Sequence, residues 1–142
     1  MENSSDRIAP APMSAACACG GLKITSPGRP ARIYACACVE CQKRSGSSFT
    51  YTAQFQELEI TISGEYRTWR RHTDSGRWVN LSFCPTCGVT LFGRVEAWPG
   101  IIGVAAGCFA DPAFEKPETI YWASQRHAWF SLSEGIAALE RQ

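Results

Sequence analysis

The residues with the greatest chemical potential in this chain are its cysteines, and their spacing says more than their number. Seven of the eight fall into three tight groups, Cys17 and Cys19, then Cys36, Cys38 and Cys41, then Cys84 and Cys87, while Cys108 stands apart. A disulfide gains most by closing a long loop, so thiols two or three residues apart are poor bridges and good ligands. Tetrahedral zinc takes four such thiolates. Cys84-Pro85-Thr86-Cys87-Gly88 has the form of a zinc knuckle, a turn whose backbone N–H groups point at the sulfurs and whose trailing glycine supplies a left-handed exit. Cys17-Ala18-Cys19-Gly20-Gly21 also runs into glycine and is the natural second pair. Cys17, Cys19, Cys84 and Cys87 are therefore assigned to one closed site, whose zinc would contribute on the order of 10 kcal/mol or more to folding. Spacing alone also allows Cys36, Cys38 or Cys41 to complete the Cys84 and Cys87 pair, which would open a place among the ligands for Cys108.

Cys36-Ala37-Cys38-Val39-Glu40-Cys41 carries enough thiols to face a second ion but one too few to saturate it. Three protein ligands plus an open position is the arrangement of catalytic zinc. That position takes water, a substrate oxygen or a thiolate whose pKa falls on coordination, so Cys36, Cys38 and Cys41 are the candidate catalytic residues. The alternative is a second scaffold, closed by Cys108 or another side chain. Cys108 itself, in Gly107-Cys108-Phe109, reads first as a small buried hydrophobe, with ligand or reactive thiol as alternatives. His72 and His127 lack ligand spacing and read as surface residues.

The elements that must position these thiols are short and β-like, punctuated by Gly, Pro, Ser or Asp. Strands are expected over 21–25, 31–35, 49–55, 58–63, 66–71, 77–83, 89–95, 101–109 and 119–123. The clearest pair is 66–71 with 77–83, because Thr73-Asp74-Ser75-Gly76 between them offers side-chain turn bonds and a glycine for positive φ. In its second strand Val79, Leu81 and Phe83 alternate with Trp78, Asn80 and Ser82, so one aliphatic face leads directly to Cys84. Glycines from Gly100 to Gly107 interleave with Ile101, Ile102 and Val104, as in a buried strand approached closely by another backbone. Helix is expected only over Val39 to Ser45 and, capped by Ser133, over 133–141.

At 142 residues the chain is one domain in size, read as residues 14–142 behind a disordered tail over 1–13. The first dozen residues lack the basic start and apolar run of a signal peptide, and no apolar stretch approaches the roughly 20 residues of a membrane helix. These features, with free thiols, place the protein in a reducing compartment, the cytoplasm. Fourteen basic against 13 acidic residues argue against a protein built to neutralise phosphate backbones, and seven thiolates with two zinc ions would turn the balance mildly acidic. Nothing in the sequence sets an oligomeric state.

Taken together the motifs resemble the glutathione-dependent formaldehyde-activating enzyme family, which includes the centromere protein V relatives. They read Cys17-Ala18-Cys19-Gly20, Cys36-Ala37-Cys38-Val39-Glu40-Cys41-Gln42-Lys43 and Phe83-Cys84-Pro85-Thr86-Cys87-Gly88, supported by Arg44-Ser45-Gly46-Ser47, Ala106-Gly107 before Asp111-Pro112, and Ile120-Tyr121 through Trp129. The resemblance spans about Ser14 to Trp129. It implies a mainly β fold, a β-tent of packed antiparallel sheets built around zinc sites with little helix. It also implies a structural zinc on Cys17, Cys19, Cys84 and Cys87 and a second zinc on Cys36, Cys38 and Cys41. The family reaction adds the glutathione thiol to formaldehyde, giving S-(hydroxymethyl)glutathione, a carbon–sulfur lyase read in reverse. Family members commonly carry His between the first two cysteines of the central motif; this chain has Ala37.

Glutathione is anionic, so Lys43 and Arg44, directly after Cys41, are the first candidates to bind it, with Arg67, Arg70, Arg71 and Arg77 as alternatives on the hairpin. Tyr66, Trp69 and Trp78 interleave with those arginines, a pattern that suits stacking on single-stranded nucleic acid, but the neutral balance of the whole chain speaks against that partner. Two readings from different classes follow: a zinc-dependent enzyme acting on a small-molecule thiol or thiol adduct, and a non-catalytic zinc-stabilised binding module.

Overall fold

The structure is a computed structural model that describes residues 11–141. Its strands are β1 (Met13–Ala16), β2 (Lys23–Ser26), β3 (Arg32–Cys36), β4 (Thr50–Gln56), β5 (Thr61–Ser63), β6 (Arg67–His72), β7 (Trp78–Phe83), β8 (Thr90–Val95), β9 (Ile101–Ala105), β10 (Thr119–Tyr121) and β11 (Ala137–Ala138), with one α-helix, α1 (Val39–Ser45). They build a three-stranded sheet, β1-β2-β5, and an eight-stranded sheet, β11-β10-β3-β4-β9-β8-β7-β6. Pairing is antiparallel except where β10 lies parallel to β3 and β11 parallel to β10.

Period-two alternation gives the large sheet two different faces. Ile33, Ala53, Phe55, Ile102 and Val104 point to one side and pack with Ala15, Leu22 and Ile24 of the small sheet and its hairpin, forming the main core. On the other side Tyr34 and Cys36, then Thr50, Thr52 and Gln54, then Gly103 and Ala105 line a cleft. The register brings them into rows, Cys36 opposite Thr50 and Tyr34 opposite Thr52, Thr52 opposite Ala105 and Gln54 opposite Gly103. Gly103 is the floor: a Cβ there would lie 2.8 Å from Thr52 Cγ2, closer than packed carbons approach. The close approach expected of the glycine-rich stretch is thus at Gly103, which also pairs with Gly93.

The hairpin of β6 and β7 forms in the expected place, with Gly76 at φ 83° closing the turn. Its aliphatic face, Val79 and Leu81, lines the cleft, and a register shift at Ser82 and Phe83 precedes Cys84. β6 is an edge strand carrying Arg67, Arg70 and Arg71, charges of the kind that discourage edge-to-edge pairing. Arg70 sits 4.7 Å from the Trp78 ring centre and donates to Asn80 Oδ1 at 2.8 Å, so its contacts are spent within the ribbon.

Several expectations are corrected. Residues 133–141 do not form a helix: Gly135 sits at φ 80°, Ile136 packs on a small second core, and β11 adds to the open edge of β10. A nine-residue helix is marginal in water, and the hydrogen bonds Ala123 N to Leu139 O at 2.8 Å and Leu139 N to Ile120 O at 2.9 Å offer the backbone a better partner. The strand expected over 101–109 stops at Ala105 and turns into a 3₁₀ turn, Ala106–Phe109. The tail expected over 1–13 lies outside the described residues as far as residue 10, and Met13 opens β1. Among the described residues no helix is long and apolar enough to cross a membrane.

Candidate metal centres

All eight cysteines are free thiols, and seven gather into two clusters. The first joins Cys17, Cys19, Cys84 and Cys87, with their sulfurs all within 4.8 Å of one another. Cys17 follows β1 and Cys84 follows β7, so this cluster ties the small sheet to the large one. Its two halves repeat one device. Cys17 N donates to Leu22 O at 3.0 Å and Cys84 N donates to Val89 O at 3.0 Å, while Gly20 at φ 78° and Gly88 at φ 79° make the turns. Leu22 N donates to Cys17 Sγ at 3.2 Å. That N–H leads the influences that hold the Cys17 thiol below its ordinary pKa, and the Val89 N–H, followed by that of Cys19, draws Cys87 down to about 6. At Cys19 the Gly21 N–H draws the thiol down, but the neighbouring Cys17 and Cys84 sulfurs outweigh it and push the thiol up to about 11.

The sulfur spacing passes a direct test. A tetrahedral ion with Zn–S bonds of about 2.3 Å sets its sulfurs roughly 3.8 Å apart, and Cys19 Sγ lies 3.6 Å from both Cys17 Sγ and Cys84 Sγ. Cys17 and Cys84 belong to the main core, with Cys87 packed against it. Cys108, half-buried against the same core, lies outside both clusters; burial, then the neighbouring Cys17 and Cys87 charges, push its thiol up. Its placement agrees with the packing role expected of it.

The second cluster joins Cys36, Cys38 and Cys41, again with sulfurs within 4.8 Å of one another. Cys36 ends β3, Cys38 caps α1 with its sulfur accepting from Cys41 N at 3.3 Å, and Cys41 sits in the first turns of the helix. Gly46, left-handed at φ 65°, ends α1. Crowding makes the three sulfurs share protons unequally: Cys38 and Cys41 drive the Cys36 thiol far up, while hydrogen bonds from Cys36 and Cys38 hold Cys41 far down. A cation relieves such a cluster, since it stabilises every thiolate at once. The two clusters remain separate, so the central cysteines do not complete the Cys84 and Cys87 pair.

The second cluster differs from the first in what it faces. Cys36 and Cys41 line the cleft, about 540 Å³ in volume, together with Arg44, Tyr34 and Arg71. Tyr34 stacks edge-on against Trp98 and Tyr121 at 6.2 and 5.5 Å, and the Arg32 guanidinium sits over all three rings. Burial, reinforced by the Cys41 charge, pushes its hydroxyl up to about 12. Lys43 is placed elsewhere: it is exposed, lies 3.9 Å from Glu40 on the next turn of α1, and is not part of the cleft wall.

α1 is held from behind by a side chain the motif reading quoted without a role. Gln42 Nε2 donates to Ala37 O at 2.8 Å and to Gln125 O at 2.9 Å, and Gln125 Oε1 accepts from Val39 N at 2.9 Å. His127, expected on the surface, is exposed but bonded: Nε2 lies 3.1 Å from Gln42 Oε1 and Nδ1 3.3 Å from Ser48 Oγ. Ala37 is fully buried in the small core beside Ala35, Ile120 and Ala123, so the side chain at this position packs against the C-terminal segment. Tyr34 was missed as a cleft residue, while Arg71, named among four alternative cations on the hairpin, is the one of them that lines the cleft. Tyr34 was findable, because residues two apart on a strand share a face and Tyr34 precedes Cys36 by two; Arg71 could not be singled out from Arg67, Arg70 and Arg77, because only the curl of the sheet brings β6 round to β3.

Fold and clusters together define a small β protein with two groups of cysteines able to hold metal ions. The chain belongs to the glutathione-dependent formaldehyde-activating enzyme family, whose sequence pattern it matches over residues 12–125. A crystal structure of a Rhodobacter sphaeroides protein shares the fold, with a TM-score of 0.53 and 19% identity, covering 72% of this chain and 91% of that one.

Proposed function

We propose that the protein is a zinc-dependent carbon–sulfur lyase of small thiol adducts, resembling an S-(hydroxymethyl)glutathione synthase, with glutathione or another small thiol and an aldehyde as the two halves of its substrate. The observation that carries this reading is the position of the three-cysteine cluster, one ligand short of a tetrahedral set, on the wall of a cleft. On this reading Cys17, Cys19, Cys84 and Cys87 hold a structural zinc and Cys36, Cys38 and Cys41 a catalytic one, two per chain. Zinc held by three thiolates supplies a Lewis-acidic position at which a thiol loses its proton or a carbonyl oxygen is polarised.

The chemistry asks little else of the chain. In the synthetic direction a carbon–sulfur bond forms, the carbonyl π pair moves to oxygen, and the proton lost by sulfur ends on that oxygen; cleavage is the reverse. Tyr34 lines the cleft and keeps its hydroxyl proton across the neutral range, and on this reading it donates a hydrogen bond to the oxygen as charge grows there. Arg44 favours the Cys41 thiolate electrostatically and offers a cation to an anionic substrate, the part expected of it, with Lys43 left to the rim. The partners on this reading are small molecules, and the cytoplasm, where thiols stay reduced, is the place of action.

The test is exchange between free and hydroxymethylated thiol, followed by two-dimensional NMR with formaldehyde and glutathione or mercaptoethanol. Exchange accelerated by the protein and abolished in Cys38→Ser, with the fold kept, supports the reading. Identical exchange rates with and without protein, for every thiol tried, would sink it.

A further inference from the structure

The cleft is too large and too one-sided in charge for its aldehyde alone. A one-carbon aldehyde needs little more room than a water, whose share of liquid volume is about 30 Å³, whereas the cleft holds about 540 Å³. Most of it must house the body of the thiol. That space is apolar at its walls, formed by Phe49, Trp98, Val79 and Leu81 among others. Among the described residues its only cationic side chains are Arg44 and Arg71, and none that lines it is Asp or Glu.

Both arginines are half-buried, and neither has a carboxylate within ion-pair distance among the described residues, where the ion pairs are Arg29 with Glu115, Lys43 with Glu40 and Arg94 with Glu57. They sit at opposite ends of a curl. Arg44 stands on α1 close enough to Cys41 and Tyr34 to favour the Cys41 thiolate, and Arg71 stands on β6, with β4, β9, β8 and β7 between it and β3. Flat, strands about 4.8 Å apart would hold the two far from one another; the rolled sheet brings both to one space. Gln54, 8% exposed, also lines the cleft.

From this balance, and resting on the thiol-adduct reading above, we infer that the cleft is built for a thiol, or its aldehyde adduct, that carries a carboxylate on an apolar body and no ammonium group. A carboxylate entering the cleft meets unpaired guanidinium groups with forked donors. An ammonium meets no carboxylate among the described lining residues, and the Cys36 and Cys41 sulfurs there are, on the reading above, the ligands of the metal. Stripping water from an unpaired charge is costly. Zwitterionic thiols, glutathione among them, are therefore the poorer ligands, and apolar mercapto acids the better.

The experiment is calorimetric binding to the protein as purified, with 2-mercapto-3-phenylpropanoate, its carboxamide and glutathione as probes. The acid is expected to bind about tenfold or more tighter than either of the others, the scale of a charge-assisted hydrogen bond. Replacing both arginines, Arg44→Gln with Arg71→Gln, should bring the acid down to the carboxamide. Glutathione binding as tightly as the acid in the unmodified protein, or an advantage of the acid that survives in the double variant, would overturn this inference and leave the thiol-adduct reading standing. Failure of that reading has a different signature: none of the three thiols binds, and the inference falls with it.

Discussion

Two clusters of the same residue type, built from turns of similar length, face different surroundings in this protein. Four sulfurs at the junction of the sheets sit on the main core, Cys17 and Cys84 buried in it and Cys19 exposed, and backbone N–H groups draw Cys17 and Cys87 toward thiolate. Of the three sulfurs at the end of β3, that of Cys38 takes the Cys41 N–H, and Cys36 and Cys41 open onto a cleft. The difference is one of ligand count and of what lies on the far side. A full set over a core makes a fastening, and an incomplete set over a cavity leaves room for a ligand.

The comparison breaks most visibly if the first cluster is damaged. Cys87→Ser removes one of four thiolates from a site that joins the two sheets, and because structural zinc contributes on the order of 10 kcal/mol, comparable to the whole net stability of a typical domain, the variant should lack the cooperative thermal transition and the β-sheet circular dichroism of the parent. Cys38→Ser is the matched change in the second cluster. It should keep the fold, shift the melting temperature by only a few degrees, and lower zinc content from two to one per chain.

A smaller effect is expected beneath the cleft. Gly103→Ala places a Cβ 2.8 Å from Thr52 Cγ2, overpacking that costs about 1–3 kcal/mol and narrows the floor, so denaturant melts should show modest destabilisation together with weaker thiol binding. Smallest is Gln42→Ala. It frees α1 from the turn at Gln125 without touching the first cluster, and should weaken zinc at the second cluster by about 10–100-fold, the range seen when groups that orient ligands are lost. Competition with a chromogenic chelator would show one ion becoming easier to remove and the other unchanged.

How much of this was legible in the sequence follows from the range of the interactions. The cysteine groups were legible because each is local: a Cys-x-x-Cys-Gly turn carries its own backbone geometry, while the union of Cys17 and Cys19 with Cys84 and Cys87, favoured by the sequence over a rival that spacing also allowed, is settled by the fold. The hairpin at Gly76 and the helix from Val39 to Ser45 were legible for the same reason. β1 was not, because Met-Ser-Ala-Ala has no strand propensity of its own and pairs only where β2 offers an edge. The C-terminal segment was misread as helix because the pull of the β10 edge is invisible to local propensity. Arg71 reaches the cleft through the curl of six strands, a property of the sheet as a whole, and no spacing announces it.

The central claim is that one metal fastens the fold and the other does not. Its most direct test is stepwise chelation of the purified protein with zinc release and far-ultraviolet circular dichroism recorded together. The account predicts two zinc ions per chain, the first leaving while the β-sheet spectrum is unchanged and the second taking the spectrum with it. Release of both in a single step as the structure collapses, or a preparation that folds with no metal, would contradict it.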